Sequence, residues 1–197
     1  PITMRKIYLV DEDFTLLGGG QDSIVLAEIA TNKAWHIYHH LPLEKVSRYA
    51  ELVNQASDRT RDFSKTIVLE GTRYTVNLEV TPIEEVGEAN FAFSDSLEKV
   101  RPYTISPCIK GPSLTWPGRS TIPENRIASS IFFHLHMNDI SGTLEEITGV
   151  KYIDLNPINI KFRLDQDSRT LRLIVTDLAK SVRQLLVQQE EKVLIPS

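Results

Sequence analysis

The sequence carries one cysteine, Cys108, in 197 residues. A single thiol excludes an intramolecular disulfide framework and any zinc site built on cysteines. It predicts a reducing intracellular compartment, the cytoplasm or an equivalent. No stretch approaches the ~20 consecutive apolar residues that a membrane span needs, and the opening Pro-Ile-Thr-Met-Arg-Lys lacks the apolar core of a signal peptide. Positive charge is not in excess: 22 Lys and Arg against 26 Asp and Glu leave a net charge of −4. A general polyanion binder is therefore disfavoured, though a local basic face is compatible with that total. The run Gly18-Gly19-Gly20 is not followed by the Gly-Lys-Ser/Thr of a P-loop, so a flexible connection is expected there.

What is present suits a globular chain. Hydrophobic residues make up 41% and charged residues 24%, ordinary values for one folded domain spanning 1–197. A chain of this length buries roughly 70% of its unfolded surface and needs no metal or disulfide to fold.

Periodicity supplies the elements. Residues 4–10 read as a strand. Residues 24–41 fit a hairpin turning at Asn32-Lys33, or a helix with Ala27, Ala30, Ala34, Ile37 and Leu41 on one stripe. The β-branched and aromatic content favours the hairpin. Pro42 opens a helix whose apolar positions Leu43, Val46, Ala50 and Val53 recur to about Ala56. Residues 66–80 form a hairpin through Glu70-Gly71, with Tyr74, Val76, Leu78 and Val80 on one face.

Prolines 82, 102, 107, 112, 117 and 123 predict an irregular segment over 82–125. Residues 127–137 read as an apolar strand. Thr143 and Glu146 have capping-box spacing, with Gly149 as a left-handed stop. Residues 158–175 form a second hairpin, and Asp177 is expected to cap a terminal helix that buries Leu178, Val182, Leu185 and Leu186. The fold class that follows is α+β, with a mostly antiparallel sheet built from hairpins, two main helices and the Pro-rich segment.

The candidate chemistry is sparse. His36 and His40 flank Tyr38, and His134 and His136 stand two apart. If all four lie on neighbouring strands they could share a zinc or iron ion, which would imply a metal-dependent hydrolase or oxygenase. Strand imidazoles with tips in solvent need no metal. The opening Pro1-Ile2 resembles the tautomerase family, in which an N-terminal proline amine is a general base. The likeness covers two residues, and the glycine run stands where that family has a long helix. Cys108 has no histidine or cation beside it to favour a thiolate.

Phe91, Phe93, Tyr103, Leu114, Trp116 and Arg119 combine rings and charge in the proline-rich segment. Such residues dominate protein interfaces, so these six are the expected partner-binding set. Lys161, Arg163 and Arg172 share the wet face of the second hairpin and could contact nucleic acid, a partner the net charge does not favour. The leading expectation is a non-catalytic interaction or assembly subunit without cofactor, bound to a protein partner or to a second copy of itself. The alternatives are the histidine-metal enzyme and a nucleic-acid-contacting accessory subunit.

Overall fold

The structure is a computed structural model that describes residues 4–93, 97–116, 118–135, 139–149, 153, 155–179 and 181–194. In chain order the elements are β1 (Lys6–Tyr8), β2 (Phe14–Gly19), β3 (Ser23–Glu28), β4 (Lys33–Tyr38), α1 (Leu43–Arg59), β5 (Ser64–Leu69), β6 (Thr72–Val80), β7 (Glu85–Ala92), β8 (Glu98–Pro107), α2 (Pro123–Leu135), α3 (Ile140–Thr148), β9 (Ile160–Asp165), β10 (Thr170–Val175) and α4 (Val182–Leu194). The fold is α+β. Its backbone divides into two compact units, one of residues 1–52, 82–108 and 181–187 and the other of 53–81, 109–180 and 188–197.

The first unit is a six-stranded sheet in the order β1-β7-β8-β4-β3-β2. The ambiguous stretch 24–41 is the hairpin: β3 pairs antiparallel with β4, and Asn32 takes the left-handed conformation (φ 56°) in the turn. Trp35 organises one face. Its ring lies 6.0 Å from Phe14, 6.4 Å from Phe91 and 5.0 Å from Tyr103, and only 2% of it is exposed. Tyr103 reaches across β7 because its cross-strand partner is Gly87. A β-carbon at Gly87 would stand 2.6 Å from the Tyr103 hydroxyl, so any side chain at this strand position would force the Tyr103 ring to move.

The expectation of an irregular segment over 82–125 fails in its first half, whereas the described residues between β8 and α2 form no helix or named strand. β7 and β8 form a long antiparallel hairpin in its first half. Proline did not forbid it because Pro102 lies past the last β4–β8 pair, Ile37 with Tyr103, where no ladder hydrogen bond is required on that side. Pro107 sits at the strand's end.

The second unit holds a four-stranded sheet in the order β5-β6-β10-β9. The β5–β6 turn places Glu70 (φ 50°) and Gly71 (φ 79°) both in the left-handed region, the geometry that matches strand twist in a two-residue hairpin. Buried Val76, Leu78 and Val80 alternate with wetter neighbours, as the sequence pattern requires.

Three further expectations are corrected. Both sheets are mixed rather than mostly antiparallel, since β1 runs parallel to β7 and β10 parallel to β6. Hairpin signals report only sequential neighbours, whereas these pairs join strands far apart in the chain through long crossovers. Among the described residues there are four α-helices, not two. The stretch read as a strand at 127–137 is helical through Leu135: Ala128, Ile131, Phe132 and Leu135 are buried at helical spacing, and Pro123 opens the helix where its missing N–H costs nothing.

The ends of the other helices are informative. Gly149 stops α3 in the left-handed conformation (φ 73°), its N–H donating to the Glu145 carbonyl, but that helix starts before Thr143, at Ile140. The terminal helix starts at Val182, not beside Asp177. The Ser181 hydroxyl accepts from the Gln184 N–H at 3.3 Å and the Asp22 carboxylate from the Val182 N–H at 2.7 Å, so the capping expected of Asp177 is done there by these two residues.

Candidate functional site

A polar corner of the second unit lies at the mouth of the β9–β10 hairpin. The chain enters it through a 3-10 turn, Pro157–Asn159, capped by the Asn156 side chain, which accepts from the Ile158 N–H at 3.2 Å. Ile153, Leu155 and Pro157 are buried and pin this approach. The regular ladder ends with Ile160 opposite Val175. Thr176 then extends it, donating both its N–H (3.0 Å) and its hydroxyl (2.9 Å) to the Asn159 carbonyl.

Asp177 follows directly. Its Oδ1 accepts from the Ala179 N–H at 3.3 Å, a local turn that fixes the carboxylate. Buried Leu178 and Ala179 anchor the chain beyond it. Two residues with half-buried oxygen-bearing side chains, Asn159 and Asp177, thus lie just beyond the end of the ladder. Carboxylate and carboxamide oxygens are the donors that hard divalent cations such as Mg²⁺ take.

The sequence reading assigned Asp177 to a helix cap and placed Asn159 within the 158–175 hairpin without a role. The available signal was an order: Asp154, four residues, Asn159, a hairpin, then Asp177. Asp154 lies outside the described residues.

The expected site residues are dispersed. His36 sits in β4, stacked on Tyr38 at 6.5 Å, and burial lowers its pKa to about 4, so it is neutral at pH 7. His40 follows the end of β4 with φ 55°, and its carbonyl accepts from Arg183 at 2.7 Å. Both belong to the first unit. His134 is an exposed residue in the last turn of α2 in the second unit, and His136 lies outside the described residues. On a helix, residues two apart point in nearly opposite directions, so the shared-face argument for His134 does not apply. Among the described residues no group of three or more His, Cys, Asp and Glu comes together.

Of the expected partner-binding set, Phe91 and Tyr103 are core residues of the first unit and Leu114 is buried in the second. This corrects their reading as contact surface: their rings and methyls are already used inside. Phe93 is partly buried under the Arg101 guanidinium, 5.5 Å above its ring. Trp116 is 47% exposed and packs edge-on against Phe133 at 5.5 Å, with exposed Arg119 beside it.

On the second hairpin, Lys161 donates to the Gly111 carbonyl at 3.1 Å, and Arg172, opposite Arg163, lies 3.9 Å from Glu79. The expected basic face is therefore partly neutralised. Cys108 is a free, half-buried thiol, and the glycine run closes the β2–β3 hairpin, where the Gly20 N–H donates to the Ser23 carbonyl at 2.9 Å. Pro1 lies outside the described residues.

No family model matches the chain, and no curated protein does. Among solved structures it is similar to two double-mutant forms of the Mycobacterium tuberculosis PknI kinase domain. One is 10% identical with a TM-score of 0.36, over 86% of this chain and 61% of that one. The other is 9% identical with a TM-score of 0.37, over 88% of this chain and 62% of that one. The chain thus spans about three fifths of their length, and at this level the likeness assigns neither fold nor function.

The buried imidazole makes a testable statement about pH. Burial lowers the pKa of His36 from its ordinary value of 6.5 to about 4 in the folded chain, so the unfolded state holds the extra proton between those values. Stability therefore falls as pH drops from 6.5 towards 4 and is level above 6.5 with respect to this group. In denaturant titrations, His36→Gln is expected to remove about 3 kcal/mol of the loss seen between pH 7 and pH 4. Equal slopes in the two proteins would contradict it.

Proposed function

We propose that the second unit binds a divalent cation together with a nucleotide phosphate, in the manner of a phosphoryl-transfer site. The observation that carries this reading is the hairpin mouth, where Thr176 is bonded to the Asn159 carbonyl and Asp177 follows next in the chain. Protein kinases use an aspartate, four residues and an asparagine in a catalytic loop, then a metal-holding aspartate further on. Asp154-Leu155-Asn156-Pro157-Ile158-Asn159 and Val175-Thr176-Asp177 follow that order on either side of the β9–β10 hairpin. A bound cation would supply charge neutralisation for phosphate oxygens. In this chain, Asn159 and Asp177 would hold it, and Asp154 is the carboxylate that the spacing offers as acceptor for a hydroxyl proton.

Two departures limit the reading to binding before turnover. The glycine run Gly18-Gly19-Gly20 lacks the spaced glycines of a kinase phosphate loop. The strand that should carry an anchoring lysine has its only one, Lys33, at its start and ion-paired with Glu84 at 2.7 Å. Neutral His36 stands further along that strand and cannot replace a fixed positive charge.

The test is calorimetric titration of Mn²⁺ in the presence of ATP. Asp177→Asn is expected to weaken binding ~10-fold or more, since even outer-shell partners of a metal are worth that much. No Mn²⁺ binding by the unaltered chain, or equal binding by Asp177→Asn, would overturn the reading.

A second reading, an interaction or assembly subunit, is favoured by one observation: the half-exposed Trp116 with Phe133 and Arg119 around it. An exposed Trp beside Arg is the usual make-up of an interface hot spot. If this is its role, Trp116→Ala leaves the melting temperature within about 2 °C while self-association in sedimentation, or a co-purifying chain, is lost. Loss of stability with unchanged association would return Trp116 to a purely structural role.

A further inference from the structure

The first unit contains a groove that the metal site does not use. β4 pairs with β8 only as far as Ile37 opposite Tyr103, whereas β8 continues back to Glu98 along β7. His40, at φ 55°, turns the chain away towards α1. Residues 99–102 of β8 are consequently open on the β4 side. A groove of about 420 Å³ lies there, lined by Tyr38, His40, Leu41, Glu88, Lys99 and Arg101 among others.

Charge in this groove is unbalanced. Arg101 donates to Nδ1 of His39 and lies over Phe93, and among the described residues neither Arg101 nor Lys99 has a carboxylate partner. Glu98, next in the strand, is paired with Lys6 and accepts from Asn90. Glu88 is the one acidic group in the lining. The pKa of His39 is held down by burial first and then by the charges of Arg101, His40 and Lys99, while Asp22 acts in the opposite direction. With Nδ1 accepting from Arg101, the neutral His39 ring keeps Nε2–H as a donor.

We infer that this groove binds a phosphoryl group, taken between the guanidinium of Arg101 and the ammonium of Lys99. A guanidinium fork matches two phosphate oxygens, while an ammonium serves as a point charge for the third. The inference is independent of the hairpin-mouth site.

The experiment titrates two probes, inorganic phosphate and a phosphothreonine peptide, into the full chain in EDTA with chloride as control. EDTA silences any cation-dependent site, so failure here and failure of the Asn159–Asp177 reading are distinguishable. At least one probe is expected to bind, and Arg101→Gln and Lys99→Gln are each expected to weaken it roughly 10-fold, the loss of one charge-assisted hydrogen bond. Lys99 is exposed, so its variant keeps the test valid should Arg101→Gln not fold. Tighter binding of the peptide marks an attached phosphoryl group as the ligand; tighter binding of phosphate marks the free ion. No binding of either probe up to ~10 mM, or binding unchanged in both variants, overturns the inference.

Discussion

In the second unit, Leu171, Leu173 and Val175 of β10 each lie between an apolar residue of β6 and one of β9. The rungs are Val76–Leu171–Leu164, Leu78–Leu173–Phe162 and Val80–Val175–Ile160. Because side chains alternate along a strand, a slip of one residue on either side would turn this set out of the core. Burial of these rungs therefore fixes register, and register fixes which residues stand at the end of the ladder. Asn159 opposite Thr176, with Asp177 next, is a consequence of packing several residues away. The hydrogen bonds from Thr176 to Asn159 only finish what the apolar rungs determine.

The same logic explains which parts were legible in the residues. Strict alternation at Tyr74–Val80 and in the 158–175 hairpin, and the left-handed turns at Asn32 and Gly71, are local signals with local outcomes. They led directly to the observed strands. The parallel partnership of β10 with β6 has no local signature, because its connection runs through α2 and α3. Proline counting failed at β8 because the cost of a missing N–H depends on whether a neighbour needs it, and past Tyr103 none does. The helix at Pro123–Leu135 was hidden by period: Ile127, Ile131, Phe133 and Leu135 fit alternation in part, while Ala128, Ile131, Phe132 and Leu135 carry the helical repeat that is buried.

The candidate chemistry was less legible than the fold, for a related reason. Imidazoles two apart suggest convergence only on a strand, and His134 is on a helix. Aromatic residues in the middle of the chain suggested a surface, but the ring cluster around Trp35 takes Phe91 and Tyr103 into the first unit's interior. What remains outside is Trp116. Asn159 and Asp177, by contrast, are ordinary polar residues until the hairpin brings their backbone positions together. The chemistry proposed for them rests on register, and composition gives no hint of it.

Paramagnetic line broadening by Mn²⁺ added to the chain in the presence of ATP tests this account most directly. Amide resonances of residues 156–160 and 175–179 should disappear first as Mn²⁺ is added, at sub-stoichiometric amounts, while those of β5 and the β2–β3 hairpin persist. Broadening centred on the histidines or spread evenly over the surface acids would contradict the claim that the hairpin mouth holds the cation.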